Sequence, residues 1–160
     1  DAEIPNIKLY LMYGIPEETM SDIQSLIDLV ISIADLGYGK HAVRISVNPF
    51  IPKSHTPFSS FTHYYEEDNL QMTTLKKRRD FILEAFKGDS RIRLQMLSVE
   101  EALFQTLLSI GDDSIYPLIH FLYKRYPVFI RKSYLLLHHI IINEERDLQM
   151  LMLNVLRSYK

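Results

Sequence analysis

The sequence predicts an α/β chain, β-α-β-α-β followed by an all-α tail, and three observations carry that reading. Over residues 1–97, short apolar runs that end in Gly or Pro alternate with stripes of helical period. From Ser98 onward only helical stripes remain. The chain has 160 residues, 47% of them apolar, which is enough for one cored domain with or without an appendage.

The elements follow in order. Ile7 to Tyr13 is a mostly apolar run closed by Gly14 and Pro16, which suits a strand covered on both faces, hence a member of a parallel sheet. Thr19 and Asp22 have the spacing of a capping box, and Ile23, Leu26, Ile27, Val30, Ile33 and Ala34 recur at helical spacing until Gly37, so a helix is predicted over about residues 20–36. His41 to Asn48 reads as a second strand with Val43, Ile45 and Val47 on one face, completing a βαβ unit with a right-handed crossover. Pro49, Pro52 and Pro57 then remove three backbone donors and call for an extended loop. Asn69 to Phe86 is a second helix with Met72, Leu75, Arg79, Ile82 and Phe86 as its stripe, and Arg91 to Leu97 is a third strand with one wetter face. In the tail, Ser98 and Glu101 have capping-box spacing, and Gly111 stops that helix. A further helix starts at Asp113 or Ser114 and runs to about Tyr126, and more helix covers Arg131 to Tyr159. These patterns divide the chain into an α/β part, 1–97, and a helical extension, 98–160.

Composition excludes several classes of function. Eighteen basic against 20 acidic residues give a net charge of −2, with no overall footprint for nucleic acid or an anionic membrane. Zero cysteines exclude disulfides, thiolate metal sites and a thiol nucleophile, and fit a cytoplasmic location. No apolar stretch reaches the roughly 20 residues needed to span a bilayer. Asp1-Ala2-Glu3 lacks both an initiator Met and a basic signal region, and the first strand begins within a few residues, so the chain is expected to be a fragment of a longer protein.

Ligands of parallel α/β structures gather at the carboxyl ends of strands, where backbone groups are left free. Two such ends stand out. In Tyr13-Gly14-Ile15-Pro16-Glu17-Glu18-Thr19 the glycine permits close backbone approach, the proline stiffens the turn, and Glu17 or Glu18 can accept hydrogen bonds from a loop or a ligand ammonium. The plain alternative is a strand-to-helix turn whose acids favour the helix dipole. In the segment from Val47 to Phe58, prolines and aromatic rings separate a few polar groups, as in a pocket wall or a rigid packing loop.

Taken together, over residues 4–58 and more weakly to about Asp112, these two ends resemble radical S-adenosylmethionine (radical SAM) enzymes. The Gly14 to Thr19 turn is similar to the family's fifth strand and turn. Val47-Asn48-Pro49-Phe50-Ile51-Pro52-Lys53-Ser54-His55-Thr56-Pro57-Phe58 is similar to the segment after the sixth strand in the cobalamin-binding and methylthiotransferase-like branch. The resemblance implies a partial, open TIM-type barrel. It also implies a G-x-I-x-G-x-x-E pattern against the adenine side of S-adenosylmethionine: Met12 takes the apolar position, Gly14 the close-approach glycine and Glu17 the acid, with Val47 and Asn48 beside the same ligand through backbone or amide groups. Tyr10 departs from the pattern where its first glycine belongs.

The family holds a [4Fe-4S] iron–sulfur cluster with a C-x-x-x-C-x-x-C loop after the first barrel strand, and the cluster cleaves the cofactor reductively. This chain has no cysteine, and its six histidines do not substitute for thiolates. The resemblance therefore implies a C-terminal portion that is inactive alone and is partnered by the missing N-terminal part of the same protein. The intact parent would carry S-adenosylmethionine and the cluster, with cobalamin in the cobalamin-binding members of the branch, and would catalyse a radical methylation or sulfur insertion.

Other residues weigh less. His138 and His139 are adjacent and not i, i+4, so they are not a helical metal pair. His55 and His63 lack a third ligand, the Lys76 to Arg79 run reads as a solvated helix face, and Tyr134 to Leu137 with Ile140 to Ile142 reads as core. A second function class is a non-enzymatic interaction module whose helical tail binds a partner; it predicts sensitivity at Leu135 or Ile141 and tolerance at Gly14 and Glu17. Strands cut from a barrel would have unpaired edges, so a homodimer or a rearranged edge is expected of the isolated chain.

Overall fold

The computed structural model describes residues 4–125 and 146–157. His138, His139 and the apolar runs at 134–137 and 140–142 lie outside these residues. The chain is α/β, with a three-stranded parallel sheet and several helices. It divides into two compact units: residues 1–50 with 75–97, and residues 51–74 with 98–160.

The first unit contains the sheet, in the order β1 (Ile7–Tyr13), β2 (Val43–Pro49), β3 (Ile92–Met96). Its register pairs Ile7 with Val43 and Val43 with Ile92, so side chains form rows across the strands. One face carries Leu9, Leu11, Tyr13, Val43, Ile45, Val47, Ile92 and Leu94, and holds every fully buried strand residue except Ser46. Right-handed crossovers between strands that advance in one direction put both connecting helices on this face. These are α1 (Met20–Ala34), which buries Ile23, Ile27, Val30 and Ala34, and a second helix over Thr73–Ala85.

The opposite face is largely exposed, although Ser46 on it is buried and Asn48 half-buried. Lys8, Tyr10 and Met12 of β1 are exposed, Tyr10 by 73% and Met12 by 55%, which corrects the expectation that this strand is covered on both faces. The apolar run misled because Tyr10 and Met12 are apolar residues on the uncovered side of an edge strand.

Start and stop signals act as their chemistry requires. Thr19 and Asp22 form the full reciprocal box at the start of α1: the Asp22 N–H donates to Thr19 Oγ1 at 3.4 Å and the Thr19 N–H to Asp22 Oδ2 at 2.8 Å. The helix at 73–85, here α3, starts later than Asn69. Asp68, Asn69, Leu70 and Met72 all have positive φ, a backbone that cannot continue a right-handed helix. The Glu67 carboxylate caps α3 instead, accepting the Thr74 N–H at 2.9 Å. The buried face of α3 is Leu75, Arg78 and Ile82, so Arg78 and not Arg79 points inward.

The second unit comprises the short helix α2 (His63–Glu66), α4 (Val99–Ile110), a 3-10 turn at Asp113–Ile115, α5 (Tyr116–Arg125) and α6 (Arg146–Arg157). Ser98 Oγ accepts the Glu101 N–H at 3.0 Å, one half of the expected box. Gly111 ends α4 with an ordinary φ of −66°, and its need for glycine is spatial: a Cβ there would lie 2.5 Å from the Leu107 carbonyl oxygen. Leu103, Leu107, Ile110, Leu118, Met152 and Leu156 form the core, with Tyr65 and Leu70 also fully shielded. Burial pushes the Tyr65 phenol pKa up while the Thr106 hydroxyl pulls against it.

The proline segment splits between the units after Phe50. Its extended course ends by Lys53; residues 54–60 are a succession of turns, in which the Thr56 hydroxyl donates to the Lys53 carbonyl at 2.8 Å and His55 has a φ of 62°. Three missing donors stiffen the chain only where prolines stand, and the Thr56 hydroxyl between them closes a turn. Ser54 Oγ donates to the Ser109 carbonyl at 2.8 Å, tying the loop to the end of α4.

Candidate functional site

The candidate site is the carboxyl end of β1 and β2 in the first unit. Parallel pairing sets Met12 directly opposite Asn48 and Tyr13 opposite Pro49, and the Phe50 N–H extends the pairing to the Tyr13 carbonyl at 2.7 Å. Met12 and Asn48 are thus adjacent on the open face. Val47 pairs with Leu11, is fully buried on the helix-covered face, and presents only its backbone to this end of the sheet.

The Asn48 side chain has a structural duty. Its Oδ1 accepts the Leu97 N–H at 3.0 Å, which fastens the end of β3 to the end of β2, and its Nδ2 reaches Ser46 Oγ at 3.4 Å. An amide nitrogen carries two hydrogens, so one donor remains for a ligand on the open face.

Beyond Met12 the chain turns at Gly14, whose φ is 77°. A Cβ at Gly14 would sit 2.6 Å from Leu75 Cδ2, so glycine is required both by the backbone and by the approach of α3. The close approach made by this glycine within the fold is therefore to a helix. The same turn separates its two glutamates. Glu17 is exposed with a φ of 63°. Glu18 turns inward, its Oε2 accepting the Gly14 N–H at 2.8 Å and lying 3.0 Å from Arg78 Nη1. Arg78 also donates to the Glu18 carbonyl. Burial pushes the Glu18 carboxyl above its ordinary value of 4.5, while the Gly14 N–H and the Arg78 guanidinium draw it back.

Of the residues singled out in sequence, Met12, Asn48 and the Gly14 turn come together, Glu17 stands on the rim of that turn, and Val47 lies behind the sheet. The Glu18–Arg78 pair is what the sequence reading missed: Arg78 sits in a basic run that looks solvated, and only the three- and four-residue steps Leu75, Arg78, Ile82, Phe86 signal its inward position. Among the described residues no three His, Asp or Glu side chains converge as a metal site. His63 packs its ring against Phe61 and Tyr64, at centroid distances of 4.3 and 4.1 Å. No described helix is long and apolar enough to cross a membrane.

No protein-family model matches the chain, and no solved structure does. Over 112 residues, 70% of this chain, it is 36% identical to an uncharacterized protein of Methanocaldococcus jannaschii. The matched stretch is 22% of that protein, so the chain spans about a fifth of the relative's length.

Proposed function

We propose that this chain is the C-terminal part of a radical S-adenosylmethionine enzyme, contributing strands of an open TIM-type barrel against the adenine side of the cofactor. The observation that carries the reading is the register of Met12 with Asn48 at the carboxyl ends of adjacent parallel strands, with the Met12 side chain 55% exposed. The donor set fits the cofactor's nucleoside: an exposed thioether side chain offers apolar contact, and the free Asn48 amide hydrogen offers a directional donor. Gly14 and the Glu18–Arg78 pair hold the turn that positions Met12, and Glu17 stands at its rim to meet a polar group.

The iron–sulfur cluster does not fit this chain, which contains no cysteine. S-adenosylmethionine, when bound, supplies the reactive group that starts the chemistry, and the chain's own part is to bind and orient the nucleoside end.

Two measurements test the reading. The intact reading frame should encode a C-x-x-x-C-x-x-C triplet upstream, and the anaerobically reconstituted product should cleave S-adenosylmethionine. A full frame without the triplet overturns the proposal.

A specific observation favours a second reading, an interaction module. Tyr116, Ile119 and Tyr123 are exposed at helical spacing along α5. On that reading Ile119→Asp abolishes a partner contact, while Met12→Asp has no consequence.

A further inference from the structure

The open face of the sheet carries an arrangement of charge that the proposed cofactor site does not use. At the amino ends of the strands, Lys8 pairs in register with Arg44, and Arg44 with Arg93. Neighbouring strands lie about 4.8 Å apart, so three cations stand in one row roughly 10 Å across. All three are exposed. Like charges directly opposite one another disfavour a sheet. Here none of the eight strand positions on that face, three on β1, three on β2 and two on β3, is acidic, although the chain as a whole has 20 acids to 18 bases.

Several of the other described basic residues are ion-paired. Arg91 is paired with Asp89 and Asp35, Lys87 with Glu84, Arg79 with Asp80 and Arg157 with Glu66. Lys8, Arg44 and Arg93 have no ion-pair partner among the described residues. The Lys8 ammonium instead lies 4.6 Å over the Tyr10 ring, which aims it along the open face toward the next row. That row, Tyr10, Ser46 and Gln95, adds neutral hydroxyl and amide groups and no competing carboxylate.

We propose that this row binds a compact, multiply charged oxyanion, a small molecule bearing phosphate or several carboxylates. Arginine forks match either group in a two-point contact, and a row of three cations about 10 Å long suits a small di- or trianion rather than the long track a nucleic acid needs. The inference rests on strand register and charge alone, and it holds whether or not S-adenosylmethionine binds at the other end of the strands.

The test titrates the 160-residue chain with inorganic pyrophosphate, citrate and a hexaglutamate peptide by calorimetry at low ionic strength. Saturable binding of pyrophosphate or citrate is expected, and which of the two binds more tightly identifies the anion class. Arg44→Gln should weaken it about tenfold, as loss of a charge-assisted hydrogen bond does. Arg93→Gln repeats the test on another strand, and Lys87→Gln, a solvent-exposed cation elsewhere, should change affinity less than about twofold. Absence of saturable binding, equal weakening by Lys87→Gln, or tighter binding of hexaglutamate than of both small anions would overturn the proposal.

Discussion

Arg78 Nη1 lies 3.0 Å from Glu18 Oε2, with only 7% and 5% of the two side chains exposed, so the strand-to-helix turn after β1 is locked by a buried ion pair reaching it from α3. The two residues are 60 positions apart. The pair couples the Gly14 turn, whose N–H the same carboxylate holds, to the second crossover helix.

Removing one partner strands the other charge in a largely buried site. Arg78→Met should therefore cost about 3–5 kcal/mol in chemical denaturation, and Arg78→Met with Glu18→Gln much less than the sum of the two single changes. Additive losses in the double-mutant cycle would show that the two groups are not coupled.

Gly14→Ala places a side chain at a φ of 77° and 2.6 Å from Leu75 Cδ2. The left-handed backbone alone costs about 1–3 kcal/mol, and the clash adds to it. Leu75→Ala in the same chain should relieve the contact but not the backbone strain, giving partial recovery of the melting temperature at most. Full recovery would mean that the backbone conformation is not strained.

Met12 and Asn48 face each other, yet their substitutions should separate. Met12→Asp changes an exposed side chain, so stability should move by less than about 0.5 kcal/mol while, on the proposed function, S-adenosylmethionine binding falls. Asn48→Ala also frees the Leu97 N–H and should cost about 1–2 kcal/mol of stability in addition to any loss of binding. Equilibrium dialysis with labelled cofactor alongside urea unfolding distinguishes the two outcomes.

Acid stability should depend on Asp89. Hydrogen bonds from Arg91 hold its carboxyl below the ordinary 3.8, so the folded state binds that proton less readily than the unfolded chain. The resulting stability is present above pH 3.8 and is lost as pH falls through the lower folded value. Asp89→Asn should flatten the difference between urea midpoints measured at pH 6 and pH 3. An unchanged difference would place the acid sensitivity elsewhere.

Local signals read well from the chain. Thr19 with Asp22, Ser98 before Glu101, and the glycines after strand and helix act within a few residues of themselves, and each sits at an observed boundary. The parallel order of the three strands was also legible, because a helix of crossover length separates each pair. The late start of α3 was not. Leu70 and Met72 are both fully buried at positive φ, a choice made by packing against local backbone preference.

By itself the sequence determined the alternation of strands and helices, the caps and the lack of any cysteine in this chain, since each depends on residue type and near neighbours. The tertiary structure decided which face of β1 is open, that Glu18 and not Glu17 turns inward, that Arg78 is its partner, and that Lys8, Arg44 and Arg93 share a row. Those facts arise from register and from side chains meeting across tens of residues, where burial and charge act through space and leave little local trace in the chain.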